Sequence, residues 1–280
     1  MIARLRDGRL HLQHGPIDVV LRAWGAPDAI RAAEDAAARR FPAILPELCE
    51  ELRELRRPMA EAPRVTGPVA RRMVAACASF APVFVTPMAA VAGAVADELL
   101  SVMLHAAPLD RAFVNDGGDI AVYAAPGQAL TLGLVAHPDP SRGVAYDGAL
   151  RLPGGSGIGG VATSGRHGRS FSLGIADAVT VLATDAATAD AAATLVANAV
   201  DLDSPSIFRV PARDLDPDSD LGARLVTTEV GPLAEAEVVS ALDGGLARAE
   251  DYITRGLICA AALRLVGRAR VTLGLERLAA

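Results

Sequence analysis

The first 24 residues alternate between polar and apolar positions, which is the pattern of strands with one buried face. Residues 3–13 alternate on both sides of Asp7-Gly8, a dipeptide that favours the two-residue turn of a β-hairpin. Residues 17–24 continue the alternation and predict another strand. The chain is therefore expected to begin with a hairpin followed by a third strand.

Helical patterns follow this strand region. An alanine-rich, charged helix is predicted to begin at Pro27-Asp28 and to reach about residue 57. We expect it to be interrupted at Pro42 and Pro46, because proline lacks the backbone N–H that a helix interior needs. Further helices are predicted over residues 68–80, 88–105, 186–199 and 233–255. Small residues line the helix over 88–105, so it is expected to pack closely against its neighbours.

The middle of the chain contains short apolar runs separated by glycine-rich turns. These runs predict strands over residues 112–115, 120–125, 130–136, 158–163, 178–183 and 225–230. Residues 201–220, rich in Asp, Ser and Pro, predict an exposed loop, and the apolar pattern of residues 257–266 leaves their type open. The fold class is therefore α+β, with central, mostly antiparallel sheets flanked by helices.

One domain is expected to span residues 1–280. Its amino-terminal hairpin and helices would occupy residues 1–110, and the core that carries the candidate motifs would occupy residues 111–200. A loop and helices would occupy residues 201–280.

The composition narrows the function classes. Hydrophobic residues make up 51% of the 280 residues and charged residues 21%, which is enough for a buried core. All 27 positive charges are arginines, and this absence of lysine excludes Schiff-base catalysis, a pyridoxal lysine and a P-loop lysine. The net charge of −6 argues against a nucleic-acid partner.

The chain also lacks the sequence signs of a membrane or secreted protein. No apolar run of about 18 residues is uninterrupted, and Asp97 and Glu98 break one of the richest candidates. Cys49, Cys77 and Cys259 are odd in number and widely spaced, which indicates buried thiols rather than disulfides or a zinc site. A cytoplasmic location is expected, because the amino terminus has no signal-peptide pattern.

Three clusters could carry chemistry, and the first is the turn over residues 115–119. It contains Asn115, Gly117, Gly118 and Asp119, which combine carboxylate and amide groups with glycines that allow close backbone approach to a ligand. An ordinary Asx-type β-turn explains the same residues.

The second cluster is the glycine-rich segment over residues 154–165. Its spacing formally matches the dinucleotide-binding pattern, but a strand rather than a helix is predicted after it, so we reject a Rossmann site. Thr163, Ser164 and Gly165 at its end could present hydroxyl and N–H groups to an anion. Arg166, His167 and Arg169 follow as a small cationic loop that could meet a phosphate. A catalytic triad of Ser164, His167 and Asp177 is disfavoured, because no nucleophile elbow surrounds the serine.

The third cluster is the helix over residues 186–199, for which Asp185 is the expected N-cap. Asp190 and Thr194 are four residues apart and therefore lie on one face of this helix. A carboxylate and a hydroxyl are hard oxygen ligands suited to Mg²⁺ shared with a phosphate-bearing ligand. On spacing alone, the favoured explanation of the pair is a solvated helix face with the threonine bonded back to its own backbone.

Together the clusters resemble the ApbE family, the FAD:protein FMN transferases. That family shows a small-residue segment with a KG pair, an NxGGD turn, an ATSG segment, a strand like svTV and a helix with ADaxaT. The matching pieces here, in the same order, are residues 89–97, 115–119, 162–165, 179–181 and Ala189-Asp190 with Thr194. They fall between about residues 86 and 200.

The resemblance implies an ApbE-like α+β fold, a nucleotide-like small-molecule ligand (FAD or FMN) and Mg²⁺. It assigns Asp190 and Thr194 as metal ligands. The residues that would line the nucleotide side are Asn115, Gly117, Gly118, Asp119, Thr163, Ser164, Gly165, Arg166 and His167. The activity it implies is transfer of FMN from FAD to a hydroxyl of a target protein.

Two parts of the family pattern have no counterpart. The lysine of the KG pair would fall near Ala92, and the HxxDPxTG segment is replaced by residues 166–176. The alternative is therefore a non-catalytic ligand-binding or assembly protein with the same fold, and no catalytic residue is assigned. A homo-oligomer is compatible with the small-residue helix over 88–105, and packing within the chain explains that helix equally.

Overall fold

The computed structural model describes residues 1–134 and 148–276. It divides the chain into two compact units. The first contains Met1–Leu132, Arg151–Ala162 and Leu182–Ala191, and the second contains Gly133–Leu150, Thr163–Val181 and Ala192–Ala280. The expectation of one domain over residues 1–280 stays a prediction.

The helices and strands confirm the α+β class. The strands are β1 (Ile2–Arg4), β2 (Leu10–His14), β3 (Ile17–Trp24), β4 (Arg111–Asp116), β5 (Asp119–Ala124), β6 (Ala129–Leu134), β7 (Gly148–Pro153), β8 (Gly160–Ser164), β9 (Ala178–Ala183), β10 (Ile207–Pro211), β11 (Leu225–Val230), β12 (Ala260–Leu265) and β13 (Arg268–Val271). The α-helices are α1 (Pro27–Glu50), α2 (Leu52–Leu55), α3 (Pro68–Ala78), α4 (Val91–Ala106), α5 (Ala186–Ala199), α6 (Ala212–Leu215), α7 (Glu235–Thr254) and α8 (Leu273–Glu276). The last two residues of the strand predicted over 130–136 lie outside the described residues.

The first unit is an antiparallel sheet with helices on one face. Strands β1, β2, β3, β4, β5 and β8 are neighbours in that order. The register pairs Leu21 with Val114, and both side chains are fully buried. The predicted hairpin and third strand are thereby confirmed.

Helix α1 corrects one expectation, because it continues through Pro42 and Pro46 without interruption. Both prolines lie on the exposed side of the helix, while Phe41 and Ile44 beside them are buried. Burial of this apolar face stabilises the helix by more than the two missing N–H donors cost.

Helix α4 and the 3₁₀ turn before it form a long apolar segment. Of the part of the chain that the structure describes, Pro87–Ala106 alone is long and apolar enough to cross a membrane, with a mean hydropathy of 1.5. Buried residues make up 56% of that window, and core helices meet the same criteria, so this is weak evidence for a membrane span. Within the first unit, α4 packs against α1, α3, β4 and β5.

The second unit contains residues 163–164 of β8, residues 178–181 of β9, and β12 and β13, and these strands are neighbours in that order. It also contains the separate β10–β11 hairpin and helix α7. The expected loop over residues 201–220 is wrong in part. It contains β10, which pairs with β11 from Ile207–Val230 to Pro211–Leu225. The segment left open over 257–266 contains strand β12.

The cysteines are free, as expected, but only Cys77 is buried. Cys49 is exposed and Cys259 is half-buried, so the expectation of three buried thiols is wrong for these two. Cys49 lies near the end of α1, at an exposed position next to the buried Leu48.

Candidate functional site

Helices α4 and α5 begin in backbone contact within the first unit. A Cβ atom added to Gly93 would lie 2.2 Å from the carbonyl oxygen of Ala186. Two further glycines line the same turn, since a Cβ on Gly159 would lie 2.2 Å from the Thr184 oxygen and one on Gly160 would lie 2.3 Å from the Ala186 nitrogen. Only glycine permits these distances, so the small residues of this region serve close approach of backbones.

Asp190 is a residue of α5, and its side chain contacts the first residues of α4. Its Oδ2 accepts the backbone N–H of Gly93 at 3.0 Å, and the N–H of Ala92 also donates to this carboxylate. Burial, and then the negative charge of Asp119, raise the pKa of Asp190 well above its ordinary value, and Asp116 adds to the effect. The N–H donors act in the opposite direction.

Asp97 makes the matching contact with the beginning of α5. Its Oδ1 accepts the N–H of Ala186 at 3.0 Å, and its Oδ2 accepts the N–H of Ala187 at 2.8 Å. Burial raises the pKa of Asp97 from 3.8 to about 6, against the effect of these two donors. The predicted N-cap of α5 is confirmed as well, because Asp185 Oδ1 accepts the N–H of Thr188 at 2.7 Å.

The turn between β4 and β5 has the Asx geometry that the sequence left as one explanation. Asn115 Oδ1 accepts the N–H of Gly118 at 2.8 Å, and Gly117 and Gly118 have φ values of 66° and 118°. Asp116 is buried and Asp119 is half-buried. The turn therefore places two carboxylates in the electrostatic environment of Asp190.

The glycine-rich segment leads into strand β8, as predicted, and no helix follows it. Gly155 and Gly157 have φ values of 81° and 80°. A Cβ atom on either would have nothing within 4 Å. The rejection of a dinucleotide-binding site on this segment agrees with that geometry.

In the second unit, Thr163 and Ser164 contact different partners. Thr163 Oγ1 lies 2.9 Å from Thr180 Oγ1 on the neighbouring strand, whereas Ser164 Oγ accepts a weak 3.5 Å hydrogen bond from Thr194 Oγ1 on α5. Successive residues of a strand point to opposite faces. Of these two predicted residues, Ser164 is therefore the one that shares a face with Thr194.

The cationic loop is anchored to a buried carboxylate. Arg166 donates to Asp177 Oδ1 from Nε at 3.0 Å and from Nη2 at 2.7 Å, and His167 Nε2 lies 3.3 Å from the same oxygen. Asp177 Oδ2 accepts the N–H of Val266 at 2.6 Å. Gly165 is required here, because a Cβ on it would lie 2.5 Å from the Asp177 carbonyl oxygen. The charge of Arg166 is thus neutralised within the protein.

The side chains that the structure describes do not form a metal centre by themselves. Across residues 1–134 and 148–276, no group of three or more His, Cys, Asp or Glu could hold a metal ion. Asp190 nevertheless suits a cation, because burial and the nearby carboxylates disfavour its ionised form and a positive ion would favour it. A Mg²⁺ ion here would need phosphate, carbonyl or water oxygens to complete its shell.

Sequence reasoning did not identify Asp97 or Thr180. Asp97 lies inside the segment that matches the family, and its position one turn after Gly93 is the only local sign of its role. Thr180 lies in a strand pattern, where a hydroxyl that faces a neighbouring strand has no sequence signature.

Curated relatives match part of the chain. The UPF0280 proteins of Methanothrix thermoacetophila and Methanocella arvoryzae are each 38% identical, over 122 and 130 residues. These matches cover 44% and 46% of this chain. The chain spans about half the length of these relatives, 48% and 49%.

Among solved structures, the ApbE protein of Thermotoga maritima aligns over 99% of both chains, with a TM-score of 0.58 and 15% identity. This likeness shows the fold. The flavin transferase ApbE of Vibrio cholerae aligns over 96% of this chain and 99% of its own, at 12% identity and a TM-score of 0.43, which is too low to carry an inference.

The family model described as "AbpE bacteria" matches residues 2–271, nearly the whole chain. The predicted resemblance is thereby confirmed, and the chain belongs to this ApbE-like family.

Proposed function

We propose that the chain binds a flavin nucleotide of the FAD class and holds its pyrophosphate beside Asp190. The observation that carries the proposal is the convergence of three separate motifs in the first unit. The Asp190 carboxylate accepts N–H groups from Ala92 and Gly93, at the position of the family's KG pair, and it interacts electrostatically with Asp119 of the NxGGD turn. Membership of the ApbE-like family supports the same reading.

Asp190 and Thr194 are the residues proposed to hold Mg²⁺, one helical turn apart on α5. Bound there with the pyrophosphate, Mg²⁺ would neutralise phosphate charge. The environment of Asp190 supports this assignment, because burial and then the negative charges of Asp119 and Asp116 raise its pKa, and a bound cation would favour its ionised form. The contacts predicted for the nucleotide stay predictions: Asn115, Gly117, Gly118, Asp119, Thr163, Ser164, Gly165, Arg166 and His167.

Transfer would join the FMN phosphate to a hydroxyl of a target protein. The hydroxyl oxygen would bond to the FMN-side phosphorus, the pyrophosphate P–O bond would break, AMP would leave and the hydroxyl proton would pass to solvent. The chain has alanine at position 92, where the family has lysine, and Arg166 is engaged by Asp177. These two observations are arguments against efficient transfer. They support the second candidate function, in which the protein binds the ligand and catalyses no transfer.

The test is incubation of the purified protein with FAD and Mg²⁺, followed by gel filtration and measurement of retained flavin absorbance and released AMP. Retained flavin that EDTA removes is the expected result. Retained flavin together with AMP would establish cleavage of the FAD pyrophosphate, flavin that stays with the protein after denaturation would establish transfer to a protein hydroxyl, and retained flavin without AMP would establish binding alone. Neither retained flavin nor AMP would overturn the proposal.

Two variants sharpen this test. Asp190→Asn removes the proposed carboxylate ligand with little change of shape, so flavin affinity in Mg²⁺ should fall at least about tenfold. Asp185→Asn is the matched control, because Asp185 caps the same helix through Thr188 and has no proposed ligand role. Equal loss in both variants would indicate that the effect of Asp190 is structural.

A further inference from the structure

Helices α4 and α5 are joined by two hydrogen-bonded carboxylates that mirror each other. The N–H of Gly93, at the beginning of α4, donates to Asp190 on α5. The N–H groups of Ala186 and Ala187, at the beginning of α5, donate to Asp97 on α4. Asp97 follows Gly93 by four residues and Asp190 follows Ala186 by four, so each helix is capped by a carboxylate one turn inside the other.

This reciprocal arrangement restricts how the helices can move. One cap alone would allow α5 to pivot about its contact, whereas two caps a turn apart restrict both its translation and its rotation. Direct backbone contact removes the remaining freedom, since there is no room for a methyl group between Gly93 and Ala186. The place of the Asp190 carboxylate therefore depends on the opposite cap.

Among the described residues, no side chain next to either helix in the sequence accepts the N–H groups that these two carboxylates accept. Helix α4 has no side-chain N-cap of its own, because Ala90 precedes it. Asp185 serves α5, but its carboxylate bonds Thr188 and leaves the N–H groups of Ala186 and Ala187 to Asp97. Carboxylates at helix amino termini are favourable both as hydrogen-bond acceptors and as charges near the helix dipole.

We propose that Asp97 is a positioning residue for the ligand site: it fixes the first turn of α5 and thereby the place of Asp190, without contacting the ligand. The part of this inference that concerns ligand affinity rests on the proposed function. The part that concerns the coupling of the two caps does not, and the experiment tests the two separately.

The first measurement is amide hydrogen exchange by NMR in the ligand-free protein. Asp97→Asn keeps the side-chain shape but weakens acceptance of two N–H groups, so exchange at Ala186 and Ala187 should rise about tenfold. The decisive prediction is a comparable rise at Gly93, which Asp97 does not bond. Asp97→Glu, which retains a carboxylate, should restore part of the protection.

Asp185→Asn is the matched control, because it weakens a cap of α5 that does not reach α4. It should accelerate exchange at Thr188 and leave Gly93 protected. Unchanged exchange at Gly93 in Asp97→Asn, with faster exchange at Ala186 and Ala187, would show that Asp97 is only a local cap and would overturn the inference. Equal acceleration at Gly93 in Asp185→Asn would overturn it as well.

The second measurement is the FAD dissociation constant in Mg²⁺. Asp97→Asn should weaken binding about tenfold while Asp185→Asn leaves it within about twofold. Unchanged FAD affinity in Asp97→Asn would overturn the positioning role. If the wild-type protein binds no FAD, the proposed function fails, and the exchange measurement still decides whether the two caps are coupled.

Discussion

The α-carbon of Gly93 lies against the carbonyl group of Ala186, so closely that a side-chain methyl would stand 2.2 Å from the oxygen. This contact brings the beginning of α4 onto the beginning of α5, and it is what allows the Gly93 N–H to reach Asp190 at 3.0 Å. Gly93, at the position of the glycine of the family's KG pair, is therefore needed for this close contact between the helices. That need does not depend on the lysine, which this chain lacks.

Gly93→Ala should destabilise the protein by about 1–3 kcal/mol, despite the better helix propensity of alanine, because backbone atoms surround the new methyl group. Urea unfolding at equilibrium measures the change. Gly244→Ala is the control on α7, where the nearest atom would be 3.1 Å away and the residue is exposed. A similar loss in both variants would mean that α4 and α5 are not held in close contact.

The stability contribution of Asp97 should decline as the pH rises. Its folded pKa of about 6 exceeds the ordinary 3.8, so the folded protein binds the proton more tightly than the unfolded chain, and stability falls between these two values. Between pH 5 and pH 7 the loss from this group should be about 1 kcal/mol.

Urea unfolding of the wild type and Asp97→Asn at pH 5 and pH 7 tests this expectation. The variant should be less stable at both values, because an amide accepts the two N–H groups less well, but its change between them should be smaller by about 1 kcal/mol. An identical pH response in the two proteins would contradict a raised pKa.

The hydroxyls of Thr194 and Thr180 should differ in their effect on the ligand. Thr194 lies with Ser164 on one face of β8, and Thr180 lies with Thr163 on the other. Thr194→Val should weaken Mg²⁺-dependent FAD binding about tenfold, and Thr180→Val, which removes no proposed metal ligand, should weaken it less. Isothermal titration with both variants makes the comparison, and equal weakening would argue against a ligand role specific to Thr194.

Arg166 should contribute substantially to the free energy of unfolding, although it lies in a loop. The Asp177 side chain is 5% exposed, and removal of its guanidinium partner leaves a buried charge poorly compensated. Arg166→Gln should therefore cost about 3 kcal/mol in thermal or urea unfolding. Arg213→Gln, at an exposed ion pair with Asp214, is the control and should change stability by less than about 0.5 kcal/mol. A loss of stability well below about 3 kcal/mol in Arg166→Gln would instead indicate that Arg166 is free to bind the ligand.

Local patterns located many elements well. Strands β3, β9 and β11 and helix α5 have the bounds that alternation and capping residues indicate. In each case residues close together in the sequence indicate the element. A strand is indicated by its run of apolar residues, and helix α5 is indicated by Asp185 before an alanine-rich segment. The turn over residues 115–119 was likewise readable, because an Asx turn forms through contacts within four residues.

The errors occur where distant partners decide the outcome. Helix α1 continues through two prolines because its apolar face is buried, and β10 forms within a polar segment because β11 pairs with it. Thr163 and Ser164 form a single polar group in the sequence. The strand geometry separates them, and neighbouring elements give each a different partner.

The sequence by itself determined the α+β class, the kinship with the ApbE-like family and the residue types from which a phosphate site could be built, since these depend on periodicity, composition and the order of short motifs. Only the tertiary structure decided which carboxylate meets which helix end, that Arg166 is committed to Asp177, and that Asp97 and Asp190 cap each other's helices. The physical reason is that a hydrogen bond across about 90 residues depends on how the elements between them pack, and no local pattern encodes that distance.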